Sequence, residues 1–384
     1  MKNIAIIFGG KSVEHEVSIL TGLHANRHID GHRVFLVYMT RENEMACGKV
    51  LSNVDYYIKK QGRVHECWFM DGILYRRGKF NKIKRVAKID VVLNCCHGGV
   101  GENGELAAMM NVLNIPVTSC GMVSAANLMS KTATRDMLSN FKGKGRVSKF
   151  LQPKFGSLGK EDYETNLEEF IRDVVKRIGF PMIVKPDSLG SSIGITIAKN
   201  RAELIDAIGL GFALDIKVIV EQYLEDVIEI NCSAMSYGGE IKVSGCELVN
   251  DSMGEGKIFS FESKYLDGTS GFIKKSGKDE VDYGLGDVYK EIQELTRLAY
   301  KVFDANGVVR ADFLVLKVDN EYKIYLNEIN TVPGFLSYHL WMKVGVPYPM
   351  LIDMMMGQAI EKGKEEFTTN YTSDILARNR KLVD

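Results

Sequence analysis

Neither sign of charge is in excess: 49 lysines and arginines meet 49 aspartates and glutamates. No bulk field therefore draws the chain to nucleic acid or to an anionic membrane, and any ligand has to be held by a local site. The seven cysteines (47, 67, 95, 96, 120, 232 and 246) include no CxxC pair. An odd count without metal spacing reads as reduced, mostly buried thiols of a cytosolic protein. No stretch approaches the ~20 apolar residues of a membrane span. The opening Met1-Lys2-Asn3 and the short run Ile4 to Phe8 do not make a secretory h-region, so a cytoplasmic location is expected. Missing as well is the GxxxxGK(S/T) loop, which sets aside a P-loop enzyme, and the loop that follows Lys185 lacks GxGxxG spacing.

What remains is an ordinary globular composition, 45% hydrophobic and 26% charged over 384 residues. Domains seldom exceed ~100–200 residues, so two or three lobes are expected. Residues 1–120 alternate strand and helix signals. Ile4 to Phe8 reads as a buried strand ended by Gly9-Gly10, with Ser12 as the cap of a helix running to about His28. Val34 to Tyr38 and Ile89 to Cys96 read as further strands, Asn103 to Val112 as a helix, and Ile115 to Thr118 as a last strand. Such alternation implies parallel βαβ units with ligands at the carboxyl ends of the strands. Residues 121–220 open with a helix from Ser124 to Ser139 and carry a charged helix from Glu161 to Ile178. They also hold a strand ending in Lys185-Pro186 and the strand Ile195 to Ile197. Residues 221–384 hold long strands, a polar loop from Asp251 to Asp279, a helix from Leu285 to Phe303 and a Met-rich helix (350–360) that reads as core packing.

Three segments carry chemistry. Val308 to Val318 and Tyr322 to Ile329 flank Asp319-Asn320 and read as an antiparallel hairpin. A register centred near Asn320 sets Asp312 opposite Glu328 and Arg310 opposite Asn330. Alternate residues share a face, so the four converge. Their oxygens suit Mg²⁺ between nucleotide phosphates, and the guanidinium suits charge developing on a transferring group. A solvated strand face with an Arg–Asp pair is the plainer alternative. Next, Lys185-Pro186-Asp187-Ser188-Leu189-Gly190-Ser191-Ser192-Ile193-Gly194 offers small residues whose N–H groups can approach phosphate oxygens beside a lysine; an ordinary hairpin turn competes with that reading. Third, Glu14 at the start of the first helix can fix an ammonium, or with Glu16 simply answer the helix dipole. His97, between a strand end and Gly98-Gly99, reads either as ligand-facing or as a core-edge histidine.

Taken together, GGKSVEHEVS (9–18), HGGVGENG (97–104), KPDSLGSSIGI (185–195), RAD (310–312) and NEINTVPGF (327–335) resemble the D-alanine–D-alanine ligase family of the ATP-grasp superfamily. The resemblance runs from residue 9 to about 340. It implies an N-terminal Rossmann-like parallel-sheet lobe (1–120, substrate-binding) followed by a two-lobed ATP-grasp fold, 121–220 and 221–384, with ATP between the two. It also implies that one D-alanine carboxylate takes the γ-phosphate of ATP and a second amine displaces phosphate, giving a dipeptide for peptidoglycan. By position, Glu14 would bind the first ammonium and His97 lie near its carboxylate, while Ser191 would assist the second substrate. Lys131, Lys185 and Ser192 would contact phosphates, Glu221 mark the adenine side and Glu229 the ribose. Asp312, Glu328 and Asn330 would hold Mg²⁺ or Mn²⁺, and Arg310 would stabilise the transferring group. Lys264 and Tyr265 open the family's closing loop, and Ser337 and His339 fall in the segment for the second carboxylate, His339 standing where the family has serine. Homodimers are common in the family, so a homodimer is expected, with no nucleic-acid or membrane partner. Two alternatives compete: the same machinery with another acceptor such as D-serine, and a nucleotide-binding protein without catalysis.

Overall fold

Strand β1 (Asn3–Gly9) is the middle of the first sheet's parallel part, and its residues Ile4 to Phe8 are wholly buried. The computed structural model describes residues 1–143, 150–251, 285–319 and 321–364, together with Arg378 and Arg380. Helix α1 (His15–Asn26) carries the chain from β1 to β2 (Arg33–Met39), and β7 (Val91–Asn94) pairs with β1 on its other side; both pairings are parallel. Between β2 and β7 run β3 (Met45–Cys47), the short helix α2 (Asp55–Lys59), β4 (His65–Met70), β5 (Ile73–Arg77) and β6 (Ile83–Lys88). They complete a seven-stranded sheet in the order β6-β5-β4-β3-β2-β1-β7.

The expected βαβ alternation therefore covers β1, β2 and β7, while β3 to β6 are antiparallel. The cause is connection length, since tight links join only antiparallel neighbours. Two further expectations are corrected. Ile115 to Thr118 contributes one bridge, Val117 to Val92, rather than a full strand. Ser12 does not cap α1 at its own position: its hydroxyl accepts the backbone N–H of Glu14 at 3.0 Å, and the helix begins at His15. Helix α3 (Glu105–Val112) follows the glycine-rich loop as expected.

The expected single helix over 124–139 is two, α4 (Met122–Met129) and α5 (Lys131–Asn140). The break is Ser130, extended at ψ 115°, whose hydroxyl accepts from Ala133 N–H and donates to Asp187 at 2.6 Å. A serine that satisfies a helix start makes the interruption cheap. Beyond it, β8 (Phe155–Gly159), β9 (Met182–Pro186), β10 (Thr196–Ala198) and β11 (Lys217–Gln222) form an antiparallel sheet in the order β10-β9-β11-β8. Helices α6 (Tyr163–Arg177) and α7 (Arg201–Phe212) cover it through Ile171, Val174, Leu204 and Ile208.

The third sheet, ordered β13-β12-β14-β15, comprises β12 (Val227–Tyr237), β13 (Glu240–Asp251), β14 (Val309–Val318) and β15 (Glu321–Asn330). One face packs Ile230, Cys232, Ala311, Phe313 and Ile329 against helix α8 (Gly286–Val302). By alternation, Asn231, Asp312, Glu328 and Asn330 lie on the other face. After a 3-10 turn (Gly334–Ser337) come α9 (Tyr338–Met342) and α10 (Tyr348–Lys362). Helix α10 returns to the first sheet, where Leu351, Ile352, Met355 and Met356 pack with Ile4, Ile6, Phe8 and Leu93. Met354, Met355 and Met356 are core, as read, while Met350 is exposed. Among the described residues no helix is long and apolar enough to cross a membrane.

Candidate active site

The hairpin brings its four polar residues together in the expected register, Arg310 opposite Asn330 and Asp312 opposite Glu328. That register holds only at this end, because the strands slip by one residue between Asp312 and Phe313, leaving Asn327 as a bulge. Bulges re-aim side chains, and the Asn327 side-chain oxygen Oδ1 accepts from Lys185 Nζ at 3.3 Å. Asp312 is buried. Arg310 donates to it twice, from Nε at 2.7 Å and Nη2 at 2.9 Å, and Asn330 Nδ2 donates at 3.0 Å. The Asn330 amide oxygen and the carboxylate oxygens of Asp312 and Glu328 make a set of hard oxygen donors. The chemistry of that set fits a small divalent cation.

Two lysines flank the hairpin. Lys131, the first residue of α5, donates to the Leu189 carbonyl at 2.6 Å. Burial lowers its pKa, against the opposing pull of Glu328. The position follows from the Ser130 break, because Asp187 anchors the start of α5 through Ser130 Oγ, Thr132 N–H and Thr132 Oγ1, at 2.6–2.8 Å. Lys185, 7% exposed on β9, lies 2.6 Å from Glu221 Oε2. Arg135 Nε reaches Glu221 Oε1 at 2.6 Å. Glu221 was expected on the adenine side of the cleft. Its side chain is wholly buried, a counter-ion shared by Arg135 and Lys185. Burial alone would push this carboxyl up, but the Arg135 and Lys185 charges override that and hold it at about 2. Glu229, on β12, is partly buried and opposite Leu314.

Glu14 meets the small-residue loop. Ser191 Oγ makes a short hydrogen bond to Glu14 Oε1. Both Ser191 and Ser192 take left-handed φ, 53° and 58°, so the loop curls toward the start of α1. Gly98, at φ 64°, allows the approach from the other side, since a Cβ there would lie 2.4 Å from Ser12 Oγ and 2.9 Å from Glu14 Oε2.

His97 is turned inward rather than toward open space. Its Nδ1 contacts the Val332 carbonyl at 2.6 Å and its Nε2 the Thr21 hydroxyl at 2.7 Å. A carbonyl only accepts, so Nδ1 carries a proton. Thr21 Oγ1 in turn receives Phe335 N–H at 3.3 Å. The ring ties α1 to the turn after β15. That turn is strained, with Phe335, Leu336 and Ser337 all at φ near +50°. Ser337, expected to face substrate, is wholly buried. His339 Nε2 lies 2.8 Å from Glu247 Oε2, both partly exposed. Burial raises the Glu247 pKa, but His339, Lys343 and Arg310 outweigh it and hold the carboxylate below its ordinary value. Lys264 and Tyr265 lie outside the described residues.

Sequence reasoning did not single out Arg135, Thr21 or Glu247, which hold Glu221, His97 and His339 in place. Only Arg135 left a local signal, four residues after Lys131 on the same helix.

Three sheets, a carboxylate-bearing hairpin and a lysine-bearing small-residue loop facing it define an ATP-grasp fold. Models of the D-ala D-ala ligase N-terminus and C-terminus match residues 3–120 and 149–357. The chain belongs to the D-alanine–D-alanine ligase family. It is 34% identical over 379 residues, 97% of each chain, to a D-alanine–D-alanine ligase of Thermosipho africanus. A Bacillus pumilus relative of the same name is 30% identical over 96% of this chain and 99% of its own. Among solved structures, the D-alanine–D-alanine ligase of Coxiella burnetii superposes with a TM-score of 0.74 at 22% identity, over 100% of both chains. The VanG D-Ala:D-Ser ligase of Enterococcus faecalis superposes at 0.73 and 24%, over 93% of this chain and 99% of that one. At these identities the two structures speak to the fold.

Proposed function

We propose that the chain uses ATP to join the carboxylate of D-alanine to the amine of a second D-amino acid, D-alanine first among the candidates, through an acyl phosphate, for peptidoglycan precursors. The observation that carries this is the convergence of Arg310, Asp312, Glu328 and Asn330 on one sheet face beside Lys131 and Lys185. Phosphoryl transfer asks for placed cations and oxygen ligands rather than a covalent nucleophile. Asp312, Glu328 and the Asn330 oxygen would hold Mg²⁺ or Mn²⁺, which when bound neutralises phosphate charge. Lys131 and Lys185 would neutralise more of it, Lys185 being held in place by Glu221. Arg310, locked by two bonds to Asp312, would face charge developing on the transferring phosphoryl and on the oxygen of the attacked carbonyl. Glu14, oriented by Ser191, would fix the first ammonium.

The test is phosphate release from ATP and Mg²⁺ with D-alanine alone, then with D-serine, L-amino acids or D-lactate added. Release with D-alanine alone supports D-alanine as acceptor, and release only with a mixture supports another acceptor. No release with any pair overturns the ligase reading. Arg310→Ala is expected to abolish turnover while nucleotide binding persists, and undiminished turnover would remove Arg310 from its role.

A further inference from the structure

We propose that Asn231 and Glu247, the latter oriented by His339, form the ammonium-binding site for the acceptor amino acid; this rests on the ligase reading above. Cross-strand partners place a polar row on one face of the third sheet: Glu247 opposite Asn231, Asn231 opposite Asp312, and Asp312 opposite Glu328. Neighbouring strands lie about 4.8 Å apart, and directly paired residues share a face. The row has a direction. Its Glu328 end is the lysine end, with Lys185 on the adjacent Asn327 and Lys131 feeling the Glu328 charge. Phosphate therefore belongs at the β15 side. A nucleophile that attacks a carbonyl activated over Asp312 and Arg310 would then come from the β12 and β13 side, as the free amine once the bound ammonium has passed a proton to water.

Asn231 stands on that approach. It is 8% exposed, and its buried Oδ1 has no hydrogen-bond partner among the described residues. A buried acceptor without a donor is costly to leave unmade, so the position calls for an N–H or O–H from a ligand. One strand further, Glu247 offers a second oxygen that only accepts while ionised. The charged groups facing it are His339 and Lys343 from α9 and its C-terminal edge, and Arg310 from β14. His339 engages Oε2 at 2.8 Å, which orients the carboxylate and leaves Oε1 for a ligand. Two neighbouring acceptors suit an ammonium, which has three donors, better than a hydroxyl, which has one. They also repel a carboxylate. A divalent cation fits less well, because this pair offers one carboxylate, already engaged by His339, and one amide oxygen. The site thus selects amino acids over hydroxy acids as acceptors.

The test compares the wild type with Glu247→Gln and Asn231→Ala. Acceptor amino acids and D-lactate are assayed beside hydroxylamine, which is uncharged near neutral pH and traps the acyl phosphate without needing an ammonium site. The expected result for both variants is a rise of at least tenfold in acceptor KM. Hydroxamate formation should stay within about twofold of wild type, which also shows that the variants are folded. In Glu247→Gln the preference for D-alanine over D-lactate should fall at least tenfold. Unchanged acceptor KM in both variants, or equal loss with hydroxylamine, would overturn the assignment. Should the wild type form no hydroxamate and no ADP, the ligase reading fails and this inference falls with it.

Discussion

Replacing Glu221 by Gln tests whether Lys185 is held by a buried counter-ion. The carboxylate is wholly buried between Arg135 and Lys185, each 2.6 Å away. The pKa moves from its ordinary 4.5 to about 2 on folding, which by linkage amounts to ~3 kcal/mol. Breaking one partner of a buried pair costs ~3–5 kcal/mol by an independent route, because the remaining charge is stranded; here two cations would be. The sign is that of a depressed carboxyl. The stabilisation is fully present above pH 4.5 and fades as pH falls from there through about 2. At pH 7 Glu221→Gln should therefore lower Tm by roughly 6–12 °C, at ~2–4 °C per kcal/mol for a large domain. Its deficit relative to wild type should shrink as pH drops from 5 toward 3. The assay is thermal unfolding across that range, with nucleotide affinity measured in parallel, since Lys185 loses its anchor. A variant within about 2 °C of wild type at pH 7, or a deficit independent of pH, would refute the reasoning.

Two further outcomes probe how α1 positions the site. Thr21→Val takes from the buried His97 Nε2 its hydrogen-bond partner and from Phe335 N–H one contact, so ~1–3 kcal/mol of stability should be lost. Thr21→Ser should restore most of it, and a valine variant that melts with wild type would break the proposed tie. Gly22→Ala puts a Cβ 2.6 Å from the ring of buried Phe8. Overpacking of ~1–3 kcal/mol should outweigh the helix gain of up to ~1 kcal/mol, seen as a lower midpoint in denaturant; an unchanged or raised midpoint would show that α1 can move off β1.

The hairpin shows how far local pattern reaches. Alternation and turn residues placed Arg310, Asp312, Glu328 and Asn330 on one face, and the observed pairing agrees at that end. The slip that frees Asn327 toward Lys185 was not legible, because a bulge is decided by what the extra residue meets across the cleft. Ser130 is a similar case. As a serine inside a long helical pattern it reads as tolerated, yet Asp187, 57 positions away, makes it a break and sets Lys131 at a helix start. Glu14 and His97 each had two readings from sequence. Ser191, from the middle sheet's loop, draws Glu14 to the cleft. Thr21 and Val332 hold His97 in the core.

By itself the amino-acid order determined the element types, the face of the third sheet that carries polar groups and the motifs of the family, since all of these follow from periodicities of two or 3.6 residues and from short contiguous patterns. The buried Arg135–Glu221–Lys185 triad, the inward turn of His97 and the row from Glu328 to Glu247 were decided by tertiary structure. Each depends on side chains far apart in the chain competing for the same buried hydrogen bonds, and that competition has no local signature.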